Sequence, residues 1–146
     1  MVSEGKSRPH VVVGVDGSAE SVGALRWAAC YAAATGATIT TATGLGPAPV
    51  GVALNAISDE ERAHIQDVVL DKALIEVFGT STPDDVQTKI VYGHPAQALV
   101  KESEDADLLV VGHRGHGAFT GMLVGSVSLH CVSSAACPVV VVRGRS

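Results

Sequence analysis

Aromatic residues are nearly missing from this chain: two tyrosines, two phenylalanines and one tryptophan make up 3% of its 146 residues. A core must therefore be aliphatic, and 47% apolar content is enough to fill one domain, taken as residues 1–146. Basic residues are few as well. Ten lysines and arginines against fifteen aspartates and glutamates leave a formal net charge of −5 and no basic stripe. Nucleic acid is thereby excluded as a main partner, because a phosphate backbone needs a positive face to bind. No apolar run approaches the roughly 20 residues of a membrane helix, and the opening residues, MVSEGKSRPH, hold no apolar stretch of the signal-peptide kind. The expectation is a cytoplasmic protein without a membrane partner. Three cysteines, Cys30, Cys131 and Cys137, are odd in number and sit in apolar segments. They are expected to be reduced core thiols rather than disulfide or metal ligands.

Patterning along the chain alternates strand and helix. Residues 9–15, PHVVVGV, read as a strand that stops at Asp16-Gly17-Ser18. Ser18 or Asp16 is placed to cap a helix running to about Ala34, with Val22, Leu25, Ala29 and Ala32 as its apolar stripe, Trp27 off that stripe, and Gly36 as terminator. The threonine-rich run 37–43 is a second strand. Residues 44–57, with Pro47 and Pro49, read as a long irregular loop and a candidate lid. Ser58-Asp59-Glu60-Glu61 is a capping box that opens a long helix to about Phe78, stopped by Gly79. A third strand follows at 86–91, then a short helix with Pro95 at its first position. Leu108 to Val111 are four apolar residues without alternation, as in a parallel strand covered on both faces. Val139 to Val142 form the last strand. The order predicts an α/β fold: a three-layer α/β/α sandwich with a five-stranded parallel sheet, doubly wound and Rossmann-like. A ligand is expected beyond the carboxyl ends of the strands where the winding reverses, between the first and fourth strands.

The most informative stretch is 106–128. After the fourth strand come Gly112, Gly115, Gly117, Gly121 and Gly125, and then Ser126-Val127-Ser128 opens a helix. Glycine lets the main chain approach a ligand, and a helix start leaves N–H groups pointing outward with partial positive charge. The hydroxyls of Ser126 and Ser128 are expected to add donors. Together these describe an anion cradle that needs no lysine, with phosphate as the natural occupant. Neither G-x-x-x-x-G-K-[ST] nor a G-x-G-x-x-G after the first strand is present, so the two commonest phosphate motifs do not apply. His113 and His116 do not make a metal site at three-residue spacing without a third ligand; His116 fits better as a donor to phosphate. Ser126 lacks the surroundings of a nucleophile.

Gly112, two residues, Gly115, nine residues, Gly125 and Ser126 give the spacing G-x2-G-x9-G-[ST]. It resembles that of the ATP-binding branch of the universal stress protein family. Val12 to Ser18, Ala106 to Gly115 and Cys137 to Val142 resemble the same family's opening strand, fourth strand with its loop, and last strand. The resemblance implies that Gly115, Gly125, Ser126, Val127 and Ser128 contact phosphates, with Gly112 and Arg114 near the ribose and phosphate path. It also implies that Asp16 serves the ribose or a phosphate-bound Mg2+ or Mn2+, and that Ala42, with Val15 and Val111, meets adenine. Asp16 equally suits a plain helix cap. The family implies a homodimer, commonly through the last strand, which would otherwise be an exposed apolar edge. Two functional classes stand. One is an ATP-binding, stress-responsive regulator with at most slow hydrolysis. The other is a nucleotide hydrolase or transferase, which would need an oriented base and fixed metal ligands. Cyclic AMP as ligand, or a dimeric protein that binds no nucleotide, are further alternatives.

Overall fold

The computed structural model describes residues 8–45, 58–113 and 125–143. Its elements run β1 (His10–Gly14), α1 (Ala19–Thr35), β2 (Thr38–Leu45), α2 (Asp59–Phe78), β3 (Val86–Tyr92), α3 (Pro95–Glu102), β4 (Leu108–Gly112), α4 (Ser126–Ser134) and β5 (Val139–Val142), with a 3-10 turn at Ser103–Asp105. The five strands form one sheet in the order β3-β2-β1-β4-β5, and every neighbouring pair is parallel. The chain winds outward from β1 through β2 to β3, then returns to place β4 on the other side of β1. The reversal therefore falls between β1 and β4, as the sequence predicts.

Strand periodicity divides the core. Val11 and Val13 of β1 and Leu108 and Val110 of β4 pack under α1 and α2 with Leu25, Ile39 and Leu70. The alternate residues, Val12, Leu109 and Val111, pack on the opposite face with Ala42, Leu99 and Cys131. Val11, Val12, Val13, Leu109 and Val110 are fully buried, and each such side chain contributes roughly 1.5–3 kcal/mol of burial free energy. β4 is thus the covered central strand that its unbroken apolar run foretells, and β1 beside it is as deeply buried at Val11, Val12 and Val13.

Helix ends follow their capping residues. Ser18 Oγ accepts from the Ser21 amide at the start of α1, and Gly36 ends that helix in the left-handed region at φ 77°. Ser58 Oγ accepts from the Glu61 amide at 3.1 Å. His94 Nδ1 accepts from the Ala96 amide at 3.3 Å, ahead of Pro95 at the start of α3.

Several expectations need correcting. β2 continues to Leu45, because Thr43, Gly44 and Leu45 keep pairing with Ile90, Val91 and Tyr92 of β3; glycine's low strand propensity is overridden by the neighbouring strand. The rest of the proposed lid, 46–57, lies outside the described residues. α1 buries Ser21, Val22, Ala24, Leu25 and Ala28, a stripe rotated from the expected one. Cys30 is accordingly exposed rather than a core thiol. Trp27 is 37% exposed and stacks on Tyr31 with ring centroids 5.4 Å apart. Among the described residues, no helix is long and apolar enough to cross a membrane.

Candidate functional site

Two helix starts converge on the crevice at the carboxyl ends of β1 and β4, and they differ in how their amides are used. At α1 the polar groups satisfy one another. Asp16 Oδ1 accepts from the Ser18 amide at 2.9 Å and from Ser18 Oγ at 2.5 Å, while Ser21 Oγ donates to the Ser18 carbonyl at 3.0 Å and accepts from the Asp16 amide at 3.2 Å. Asp16 thus braces the α1 cap while remaining exposed to the crevice. At α4 the capping residue is Gly125, with no side chain to accept a hydrogen bond. The first helical bond runs from the Leu129 amide to the Gly125 carbonyl at 2.9 Å. The amides of Ser126, Val127 and Ser128 precede it and point out along the helix axis. α1 thus ties its third amide to Ser18 Oγ, whereas at α4 no side-chain cap takes up an amide among the described residues.

The glycine loop is anchored at both ends. The His113 amide donates to the Val142 carbonyl at 2.9 Å, and the Gly125 amide donates to the His113 carbonyl at 2.6 Å. Ser128 Oγ donates to the Gly112 carbonyl and is almost fully buried. This corrects the expectation for Ser128: its hydroxyl proton ties α4 to the end of β4 and is not offered to a ligand. Gly112 matters for a second reason. A Cβ there would lie 2.7 Å from the Glu20 carbonyl carbon and oxygen, so only glycine lets α1 sit this close to β4.

A cavity of about 230 Å3 opens between these elements. The end of β1 contributes Gly14, Val15 and Asp16; α1 adds Ser18 and Ser21; β2 adds Ala42 and Gly44. α3 supplies Pro95 and Leu99, β4 supplies Val111 and Gly112, and the start of α4 supplies Gly125, Ser126, Val127 and Ser128. Val15, Asp16, Ala42, Val111, Gly112, Gly125, Ser126, Val127 and Ser128, singled out from the sequence, are therefore brought together around one space. Arg114, Gly115 and His116 lie outside the described residues. Sequence reasoning missed Gly14, Ser18, Ser21, Gly44, Pro95 and Leu99 as lining residues. Gly44 at the end of a threonine-rich strand and proline at the first position of α3 were the available signals. Asp16 is the one carboxylate among the described residues lining this cavity. Among the described residues, no group of three or more His, Cys, Asp or Glu is arranged to hold a metal ion.

Outside the crevice, burial pushes the Cys131 thiol up to about 11. Cys137 is raised too, first by burial and then by the nearby charge of Asp107. Neither thiol is poised as a nucleophile.

Residues 8–143 match the model of the Universal stress protein family. A universal stress protein of Mycolicibacterium smegmatis is 36% identical over 140 residues, which cover 92% of this chain and 48% of that protein. The chain spans about half the length of the curated relatives it matches. Among solved structures, a universal stress protein in complex with cAMP is 31% identical, with 94% of this chain and 98% of that one covered and a TM-score of 0.60. The universal stress protein UspA from Lactobacillus plantarum is 27% identical, with 94% and 100% covered and a TM-score of 0.73. This chain belongs to the universal stress protein family.

Proposed function

We propose that this protein binds an adenine nucleotide, ATP foremost, in the crevice between β1 and β4, and acts as a nucleotide-dependent regulator of a stress response. The observation that carries the reading is the uncapped start of α4, whose amides at Ser126, Val127 and Ser128 open onto a cavity with an apolar far side. Phosphate oxygens suit those amides, with Gly115, Arg114 and His116 adding to the phosphate path and Gly112 near the ribose. Val15, Ala42 and Val111 suit the base. Several charge-assisted contacts of this kind are enough for a micromolar dissociation constant, about −8 kcal/mol.

Asp16 stands near the ribose and the phosphate path. As an exposed carboxylate lining the crevice, it suits a Mg2+ or Mn2+ ion whose other ligands are phosphate oxygens and water. An ion held so would supply charge neutralisation to the phosphates. No base is oriented beside the α4 start among the described residues lining the cavity, which favours binding over fast phosphoryl transfer. The cytoplasm, where ATP is supplied, is the fitting compartment. β5 stands at one edge of the sheet with all four valines half-buried, and pairing with a second copy would cover that edge.

Cyclic AMP is the second reading, favoured by the 31% identical relative in complex with it; its single phosphate also suits a helix start. Isothermal titration with ATP, ADP, AMP and cyclic AMP decides between them. The expected result is ATP binding in the micromolar range, stronger than cyclic AMP. Absence of heat at millimolar concentrations of all four overturns the nucleotide reading.

A further inference from the structure

We propose that α3 forms the wall against which the nucleobase packs, with Pro95 and Leu99 as its surface and with Gly44 and Gly14 setting how near that wall stands. This deepens the nucleotide reading and rests on it. Among the described residues, the polar lining comes from Asp16, Ser18 and Ser21 at the start of α1 and from the start of α4. Donors gather at the start of α4, whereas Ala42, Gly44, Pro95 and Leu99 bring no hydrogen-bonding side chain to the space they line.

α3 and α4 pack against each other on the same face of the sheet, and their helix starts are built for different occupants. Pro95 has no N–H, and the Ala96 amide is taken by His94 Nδ1 at 3.3 Å. The start of α3 has thus lost two of the donors that a phosphate would seek, and it turns an apolar ring and an isobutyl group to the cavity instead. Leu99 is 6% exposed and lines this space.

The wall is held close by glycine at two points. A Cβ on Gly44 would lie 2.9 Å from Pro95 Cα and 3.0 Å from Pro95 Cβ, so the end of β2 touches the backbone of α3. A Cβ on Gly14 would lie 2.9 Å from Leu99 Cδ1. Alanine at position 44 must displace the helix start itself, since backbone cannot rotate away. At position 14 it would drive the Leu99 side chain toward the cavity. A flat ring bound here is recognised by shape and apolar contact on the α3 side.

The test compares ATP with inorganic tripolyphosphate, which carries the phosphates without a base, on the full chain. Leu99→Ala removes the outer part of the wall and is expected to weaken ATP about tenfold while leaving tripolyphosphate unchanged. Gly44→Ala is expected to do the same. Leu99→Met, which keeps the volume, should retain ATP affinity within about threefold. If Leu99→Ala fails to fold, Pro95→Ala at the half-buried first position gives the same comparison. Equal losses for both ligands, or no loss for ATP in folded variants, overturn the α3 wall. Wild-type protein that binds tripolyphosphate as tightly as ATP also overturns it while sparing the phosphate site. Wild-type protein that binds neither refutes the nucleotide reading on which it rests.

Discussion

Adding one methyl group at Gly112 should push the start of α1 away from the end of β4. The new Cβ would meet the Glu20 carbonyl carbon and oxygen at 2.7 Å and Glu20 Cβ at 2.8 Å. Ordinary van der Waals contact begins near 3.4 Å, so α1 must retreat by about 0.7 Å at its first turn, and backbone offers no rotamer to relieve the clash. Overpacking of this kind costs about 1–3 kcal/mol, equivalent to a fall in melting temperature of roughly 3–10 °C for a domain of this size. Gly23→Ala is the matched control. Gly23 lies inside α1, nothing stands within 4 Å of the added Cβ, and its φ is not positive. Alanine there should stabilise by about 0.5–1 kcal/mol. Urea denaturation of both variants against wild type reads the two signs directly. A Gly112→Ala protein within 0.5 kcal/mol of wild type would refute the claim that glycine is required for the approach of α1 to β4.

Other perturbations test the core. Thr43 Oγ1 is buried, at 1% residue exposure, with no hydrogen-bond partner among the described residues. Thr43→Val replaces the hydroxyl by a methyl group of the same shape and should raise stability by about 1 kcal/mol in urea melts; a loss would show that the hydroxyl has an unseen use. Cys131 supplies a pH dependence. Its folded value of about 11 stands above the ordinary thiol value of 9.0, so the neutral thiol is favoured by folding. The associated stability is complete below pH 9 and is lost as pH rises toward 11. Cys131→Ala should flatten that decline in melts taken between pH 8 and 11, leaving the smaller slope from Cys137, which shifts the same way. An unchanged slope would contradict the burial argument.

Architecture and the polar half of the site were legible in the sequence because their signals are local. An unbroken apolar run marked β4 as a central strand, and glycine spacing followed by Ser126 marked an uncapped helix start. The apolar half was not legible. Pro95 and Leu99 reach the cavity only because the crossover from β3 sets α3 against the ends of β1 and β2, contacts between residues far apart in the chain, Gly44 with Pro95 and Gly14 with Leu99. The role of Ser128 was misread for a related reason: a hydroxyl in a phosphate motif looks like a donor until its proton is seen to reach the Gly112 carbonyl. The rotation of α1 was ambiguous because its many alanines give little contrast between faces. Exposure of Cys30 follows from that rotation.

Amide chemical shifts during an ATP titration test the central claim most directly. The N–H resonances of Ser126, Val127 and Ser128 are expected to move in a saturable way with added ATP and also with tripolyphosphate. Saturating ATP that leaves those three signals in place would contradict that claim, whatever else in the spectrum moves.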